Sequence, residues 1–275
     1  MNPSLVILAC LALAGPLVAC GAESSPPADT ATDWRSFRPA DPERPLVDRF
    51  VEASRLLLGT PYENGPLGEG SADAIDPDPR VDFSRVDCVT YLEQALALAL
   101  APAGADEAAL LGILDAIRYE DGAVEFVRRN HYMVADWIPA NGGLLADVTA
   151  EVGGDRARTV RRTIDRAAFL REHGAEPRPE RDHAREIELT YLPTEALAAV
   201  EDRLETGDLV FWVGRAETIF VVHTGLVVRD ADGILRFRHG SSRAGKVLDE
   251  PLADYAAAAG FAIGFLVVRL HDEEA

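Results

Sequence analysis

Asp87-Cys-Val-Thr-Tyr-Leu-Glu-Gln-Ala-Leu-Ala-Leu-Ala-Leu100 reads as a helix that opens on a cysteine. Val89, Leu92, Leu96 and Leu100 recur every three or four residues, the spacing of one buried helix face, and Pro102 ends the pattern. Asp87 stands where an N-cap belongs, since its carboxylate can accept from the backbone N–H groups that a first turn leaves unpaired. A thiol at such a position feels the partial positive charge of the helix start, which favours thiolate. The same stretch therefore predicts both a core helix and a nucleophile, with backbone amides nearby that can donate to an oxyanion. The competing reading is an ordinary buried cysteine.

Upstream, apolar residues from Leu46 to Leu58 follow helical spacing and Gly59 ends them. Residues 60–84 are rich in Gly, Pro and Asp and read as a loop. Its Asp73, Asp76, Asp78 and Asp82 lack the ordered ligand pattern of an EF-hand, so a solvated loop is expected rather than a calcium site. Downstream, a second helix is expected over Asp106–Ile117, and Glu125–Asn141 carries aromatic and polar groups with no single period. Residues 155–188 hold nine Arg against eight Asp or Glu, which predicts a solvated, salt-bridged helical insertion. The last seventy residues change to short β-rich runs at 208–213, 219–228, 234–239 and 261–270, with a turn signal at Asp232-Gly233. A helical front half followed by an antiparallel back half is an α+β plan.

The chain has 275 residues, 48% of them hydrophobic, enough for a substantial core. Its net charge of -19 repels phosphate backbones, which argues against nucleic acid as a partner. Leu5 to Ala19 is apolar but short for a membrane span, and Leu17-Val18-Ala19-Cys20 resembles the lipobox of bacterial lipoproteins. The expected organisation is a signal peptide over 1–19 and a lipid-anchored tether over 20–42, rich in Ser, Pro, Ala, Asp and Thr. A single domain over 43–275 follows, with an insertion at about 140–200. Lipidation of Cys20 would place the protein in the cell envelope, held to a membrane and facing the periplasm or the exterior. Cys10 would leave with the signal, so Cys88 becomes the sole free thiol of an exported chain.

A cysteine nucleophile needs a base from elsewhere in the fold. Of six histidines, His173, His183 and His271 are expected at the surface. His223 sits within an apolar strand, where an ionisable ring needs a partner, and His239 closes the next strand across the Asp232-Gly233 turn. Neighbouring strands lie about 4.8 Å apart, so the two rings can meet on one face. That gives a nucleophile, a base and an orienting group in Cys88, His223 and His239. The alternatives are that both histidines serve the core, or that the three hold zinc. Zinc is the weaker of these, because no Cys-x-x-Cys or His-x-x-x-His cluster is present.

Gly59-Thr-Pro-Tyr62, Pro66-Leu-Gly-Glu-Gly70, Arg85-Val-Asp-Cys-Val-Thr90, Asn130-His-Tyr132, Asp136-Trp-Ile138, Gly207-Asp-Leu-Val-Phe211, His223-Thr-Gly-Leu226 and His239-Gly-Ser-Ser242 occur in this order. The set resembles the N-acetylmuramoyl-L-alanine amidase-like branch of the NlpC-type papain-fold cell-wall cysteine hydrolases, from about Gly59 to Leu270. Two departures stand out: Val89-Thr90 replaces the Ser-Gly that follows the cysteine in many relatives, and the cysteine-to-histidine spacing is long. The resemblance implies a papain-like fold, with Cys88 as nucleophile, His223 as base and His239 as orienting partner. It places Tyr62, Asn130, His131, Asp136 and Trp137 along the cleft. It also implies hydrolysis of the amide between N-acetylmuramic acid and L-alanine in peptidoglycan fragments, by a monomer needing no metal or cofactor. Cleavage between D-glutamate and the diamino acid of the stem peptide, or a non-catalytic wall-binding role, are the rival expectations.

Overall fold

The computed structural model describes residues 43–216 and 220–271. The expected signal peptide, the Cys20 lipidation site and the tether lie outside the described residues. Eight α-helical segments are found among those described: α1 Leu46–Leu56, α2 Cys88–Leu100, α3 Glu107–Arg118, α4 Ile138–Ala140, α5 Thr149–Gly153, α6 Arg166–Glu172, α7 Leu197–Val200 and α8 Leu252–Ala258. Eight strands join one antiparallel sheet: β1 Leu145–Asp147, β2 Arg158–Asp165, β3 Ala184–Pro193, β4 Leu209–Gly214, β5 Val221–Arg229, β6 Leu235–Ser241, β7 Lys246–Pro251 and β8 Ala262–Leu270. Their order is β2-β3-β8-β4-β5-β6-β7, with β1 also paired to β8.

The central strands are buried on both faces, and residue parity decides which core each side chain joins. Leu209, Phe211 and Val213 of β4, Leu226 of β5 and Leu266 and Val268 of β8 pack with α1, α2 and α3. Val210 and Trp212, Val227 and Phe265 and Val267 turn to the other face, where Leu252 and Ala256 of α8 cover them. The sheet is thus sandwiched, and α2 lies on one face with its N-terminus at Cys88. Burying a residue such as Phe211 or Leu266 completely contributes about 1.5–3 kcal/mol relative to exposure. The helix and strand periods of the sequence are both explained by this sandwich.

Two expectations are corrected. The charged stretch 155–188 is not a helical insertion. It forms the β2–β3 hairpin, with α6 in the long connection. The register sets Arg161 opposite Glu188, and Arg162 opposite Ile187, so opposite charges pair across strands rather than along a helix. Thr159, Val160, Thr163 and Ile164 supply the β-branched character that the charge count obscured. Strands therefore enter the sheet from the middle of the chain as well as from its end. The loop 60–84 is not uniformly solvated either: Asp76 is fully buried and Glu69 nearly so. Arg129 reaches from across the fold to donate to Glu69 and, at 2.9 Å, to Asp76, an arrangement in which the carboxylates are acceptable inside.

Candidate active site

The start of α2 is fixed by a reciprocal cap. Asp87 Oδ1 accepts from the backbone N–H groups of Val89 at 3.0 Å and Thr90 at 2.7 Å, while Thr90 Oγ1 accepts from the Asp87 N–H at 2.9 Å. Its second oxygen accepts from Gly65 N–H at 3.1 Å, which ties the preceding loop to the helix. Gly240 of β6 lets this end dock on the sheet: a Cβ there would stand 3.0 Å from the Asp87 carbonyl oxygen and 3.4 Å from Cys88 N. Cys88 is 6% exposed and opens into a cavity of about 150 Å³. Tyr62 and Asn64 line the same cavity. Asp87 takes up the amides of Val89 and Thr90.

His223 lines that cavity from β5. Phe237 pairs with both Val227 and Glu250, and His239 pairs with Leu248. Paired residues point the same way, so His223, His239 and Glu250 share one face of the sheet. His223 Nε2 lies 2.6 Å from His239 Nδ1. Gly225 makes this contact accessible, since a Cβ there would meet the Arg238 carbonyl oxygen at 2.6 Å and His239 Cβ and Phe237 Cε2 at 2.7 Å. The His-x-Gly spacing thus has a steric reason: the ring of one strand leans across the bare glycine of the next. Burial, then the Arg243 cation, hold His239 down to about 4, so it is a neutral imidazole at neutral pH. Tyr255 of α8 closes over both rings, 5.8 Å from His223 and 5.1 Å from His239 between centroids.

Of the other residues implicated by sequence, Tyr62, Asn130 and His131 line the cavity. Asn130 Nδ2 donates to the Ile117 carbonyl at 3.3 Å, and His131 Nε2 donates to that of Phe126 at 2.8 Å. Burial, reinforced by the cations of Arg129 and Arg166, holds His131 well below the usual histidine range, so it too is neutral. Asp136 and Trp137 do not line this cavity. Asp136 is taken up by ion pairs to Arg166 at 2.5 Å and Arg185 at 2.9 Å, which clamp the β2–β3 segment to the body of the fold. Trp137 is 1% exposed and packs on Phe211 in the core.

Several lining residues carry no sequence motif. Phe169 comes from α6 and packs, with rings tilted, against His131 at 4.7 Å and His173 at 4.3 Å between centroids. His173 is accordingly half-buried, not a surface residue, whereas His183 and His271 are exposed as expected. The one available signal was an apolar Phe169-Leu170 pair inside a run of charges. Glu93, one turn further along α2, lines the cavity together with Arg118. Burial pushes the Glu93 carboxyl up, while Arg118 Nε at 3.1 Å opposes the shift. Arg118 also donates to the Leu67 carbonyl at 3.1 Å. Among the described residues no group of three or more His, Cys, Asp or Glu side chains is arranged to hold a metal ion.

Comparisons with known proteins agree with this architecture. A Legionella pneumophila protein of solved structure superposes with a TM-score of 0.73 at 24% identity, covering 84% of this chain and 91% of that one. A structure described as an N-acetylmuramoyl-L-alanine amidase from Bacteroides uniformis gives 0.66 at 26% identity, over 81% of this chain and 99% of that one. Another, described as a putative xylanase from Bacteroides fragilis, gives 0.64 at 26% identity, over 80% and 99%. No curated protein matches the sequence. The sequence model of the AmiA-like family, described as N-acetylmuramoyl-L-alanine amidase-like, matches residues 52–261, and the chain belongs to that family.

Proposed function

We propose that this protein is a cell-wall amidase of the cysteine type, which hydrolyses the amide between N-acetylmuramic acid and L-alanine in peptidoglycan fragments. One observation carries the reading: Cys88, at the capped start of α2, shares a cavity with His223, whose ring is held 2.6 Å from a second, neutral imidazole. The name of the Bacteroides uniformis neighbour supports the choice of bond. In this scheme His223 takes the Cys88 proton and the thiolate attacks the lactyl carbonyl carbon, forming a C–S bond and an oxyanion. Collapse of that intermediate breaks the C–N bond as the His223 imidazolium protonates the departing L-alanine amine. Water, deprotonated by the same imidazole, then cleaves the thioester and regenerates the thiol. His239 orients His223 throughout, in the manner of papain-like enzymes.

The test is mass spectrometry of a defined muropeptide after digestion. Release of a peptide with a free N-terminal L-alanine is expected from the native enzyme and not from Cys88→Ser. A new D-glutamate carboxyl end would instead identify an endopeptidase, and a reactive Cys88 with no product would identify a binding protein. We further propose, from the motif ending at Cys20, that the mature chain begins there with a lipid anchor, in the cell envelope. Intact-mass analysis from the native host should show a diacylated or triacylated Cys20, and an unmodified chain starting at Met1 would overturn this.

A further inference from the structure

The pair of histidines does not end the chain of hydrogen bonds. Glu250 of β7 lies opposite Phe237 and so diagonally across from His239 on the same face. Its Oε1 stands 2.8 Å from His239 Nε2, and its Oε2 stands 3.0 Å from Arg243, a residue of the β6–β7 turn. The contacts run unbroken from Arg243 through Glu250 and His239 to His223 and the cavity that holds Cys88.

Proton counting along this line has one solution. A carboxylate only accepts, so His239 Nε2 must carry the hydrogen that binds Glu250. His239 is neutral and has one ring proton, so its Nδ1 is bare and accepts. His223 Nε2 must therefore donate to it, which leaves His223 Nδ1 as the basic nitrogen of that ring. We propose that Glu250 is a positioning residue that sets the tautomers of His239 and His223, and whose charge supports the imidazolium formed at His223 when Cys88 ionises. The inference rests on the assignment of Cys88 and His223 as nucleophile and base. A neutral amide in place of the carboxylate would break the logic, because it can donate to His239 Nε2 and reverse both tautomers. Arg243 opposes the carboxylate: it is a cation whose charge disfavours protonation of His239, and Asp249, which pairs with Arg238, acts in the carboxylate's direction.

The two charges make opposed predictions, which a merely structural role does not. Glu250→Gln should lower kcat on the muropeptide about 10- to 100-fold, the loss expected for one charge-assisted hydrogen bond, with KM changed less than about threefold. It should also raise, by about half a unit or more, the pH at which iodoacetamide begins to alkylate Cys88, because the imidazolium that stabilises the thiolate is weakened. Arg243→Met should move that onset to lower pH. Its side chain is 69% exposed, so the variant keeps its fold and the test stands even where Glu250→Gln is poorly folded. Unchanged kcat and alkylation onset in Glu250→Gln, or onsets that move the same way in both variants, would overturn the proposal. Alkylation needs no turnover, so a wild-type protein that cleaves no muropeptide counts against the amidase reading and leaves this test intact.

Discussion

Replacing Gly225 with alanine adds a single methyl group, and the structure says where it goes. The new carbon would stand 2.6 Å from the Arg238 carbonyl oxygen and 2.7 Å from both His239 Cβ and Phe237 Cε2. Ordinary contact between such atoms begins at about 3.5 Å, so β5 and β6 must part by close to an ångström or the two side chains must swing away. Neither is easy. The backbone oxygen belongs to the β5–β6 ladder, where Leu226 faces Arg238, and Phe237 is fully buried beneath Tyr255. Forced overpacking of this kind costs about 1–3 kcal/mol. For a domain of this size that is roughly 2–12 °C in melting temperature, at about 2–4 °C per kcal/mol. The catalytic cost should be larger. A displacement of an ångström breaks the 2.6 Å contact between His223 and His239, and misplacement of that size costs on the order of 100-fold in rate. Differential scanning calorimetry alongside muropeptide turnover separates the two effects. An alanine variant with native melting temperature and native kcat would refute the steric account of the His-x-Gly spacing, and with it the claim that the ring contact matters.

Two further outcomes follow from the buried charges. Arg129→Met strands the Glu69 and Asp76 carboxylates in the interior, so equilibrium unfolding should show a loss of about 3–5 kcal/mol. A loss under 1 kcal/mol would mean that the 60–84 loop is not held by this pair of bonds. Stability should also decline as pH falls below about 6.5, because the unfolded state gains a proton at His131 that the folded state, with its pKa held well below that value, refuses. His131→Leu should remove up to about 2 kcal/mol of the decline between pH 6.5 and 5, and denaturant titrations at the two pH values in both proteins measure it.

What the sequence disclosed, and what it withheld, divides along the range of the physics involved. The α2 helix and its cap were legible because both are local. A 3.6-residue apolar period and an aspartate beside the first turn need no knowledge of the rest of the fold, and the capping bonds at Val89 and Thr90 are what that reading requires. The β5–β6 hairpin was legible for the same reason, through its turn at Asp232-Gly233 and the two apolar runs around it. The 155–188 stretch failed because charge balance does not reveal geometry. Nine arginines and eight acids can pair at i,i+4 on a helix or directly across two strands, and only the β-branched residues Thr159, Val160, Thr163 and Ile164 favour the second.

The site repeats this division on a smaller scale. Tyr62, Cys88, Asn130, His131 and His223 all reach one cavity, yet Trp137, quoted in the same motif as Asp136, lies in the core. A large aromatic beside a polar residue is ambiguous in one dimension. The polar group marks a place where the chain needs partners, and the ring fills whatever space lies behind it. Here Asp136 meets Arg166 and Arg185, and Trp137 meets Phe211, so the motif holds the β2–β3 segment down rather than shaping the cleft directly. Its contribution to the site is indirect. By anchoring Arg166, the first residue of α6, it sets the position of Phe169 three residues later, and Phe169 does reach the cavity. Glu250 was hidden for a related reason, since its contact with His239 is a diagonal across two strands and depends on a register that only the folded sheet defines. Residues that act on the cavity through another side chain leave no mark in sequence spacing, and they become visible only when hydrogen bonds are followed outward from Cys88 and His223.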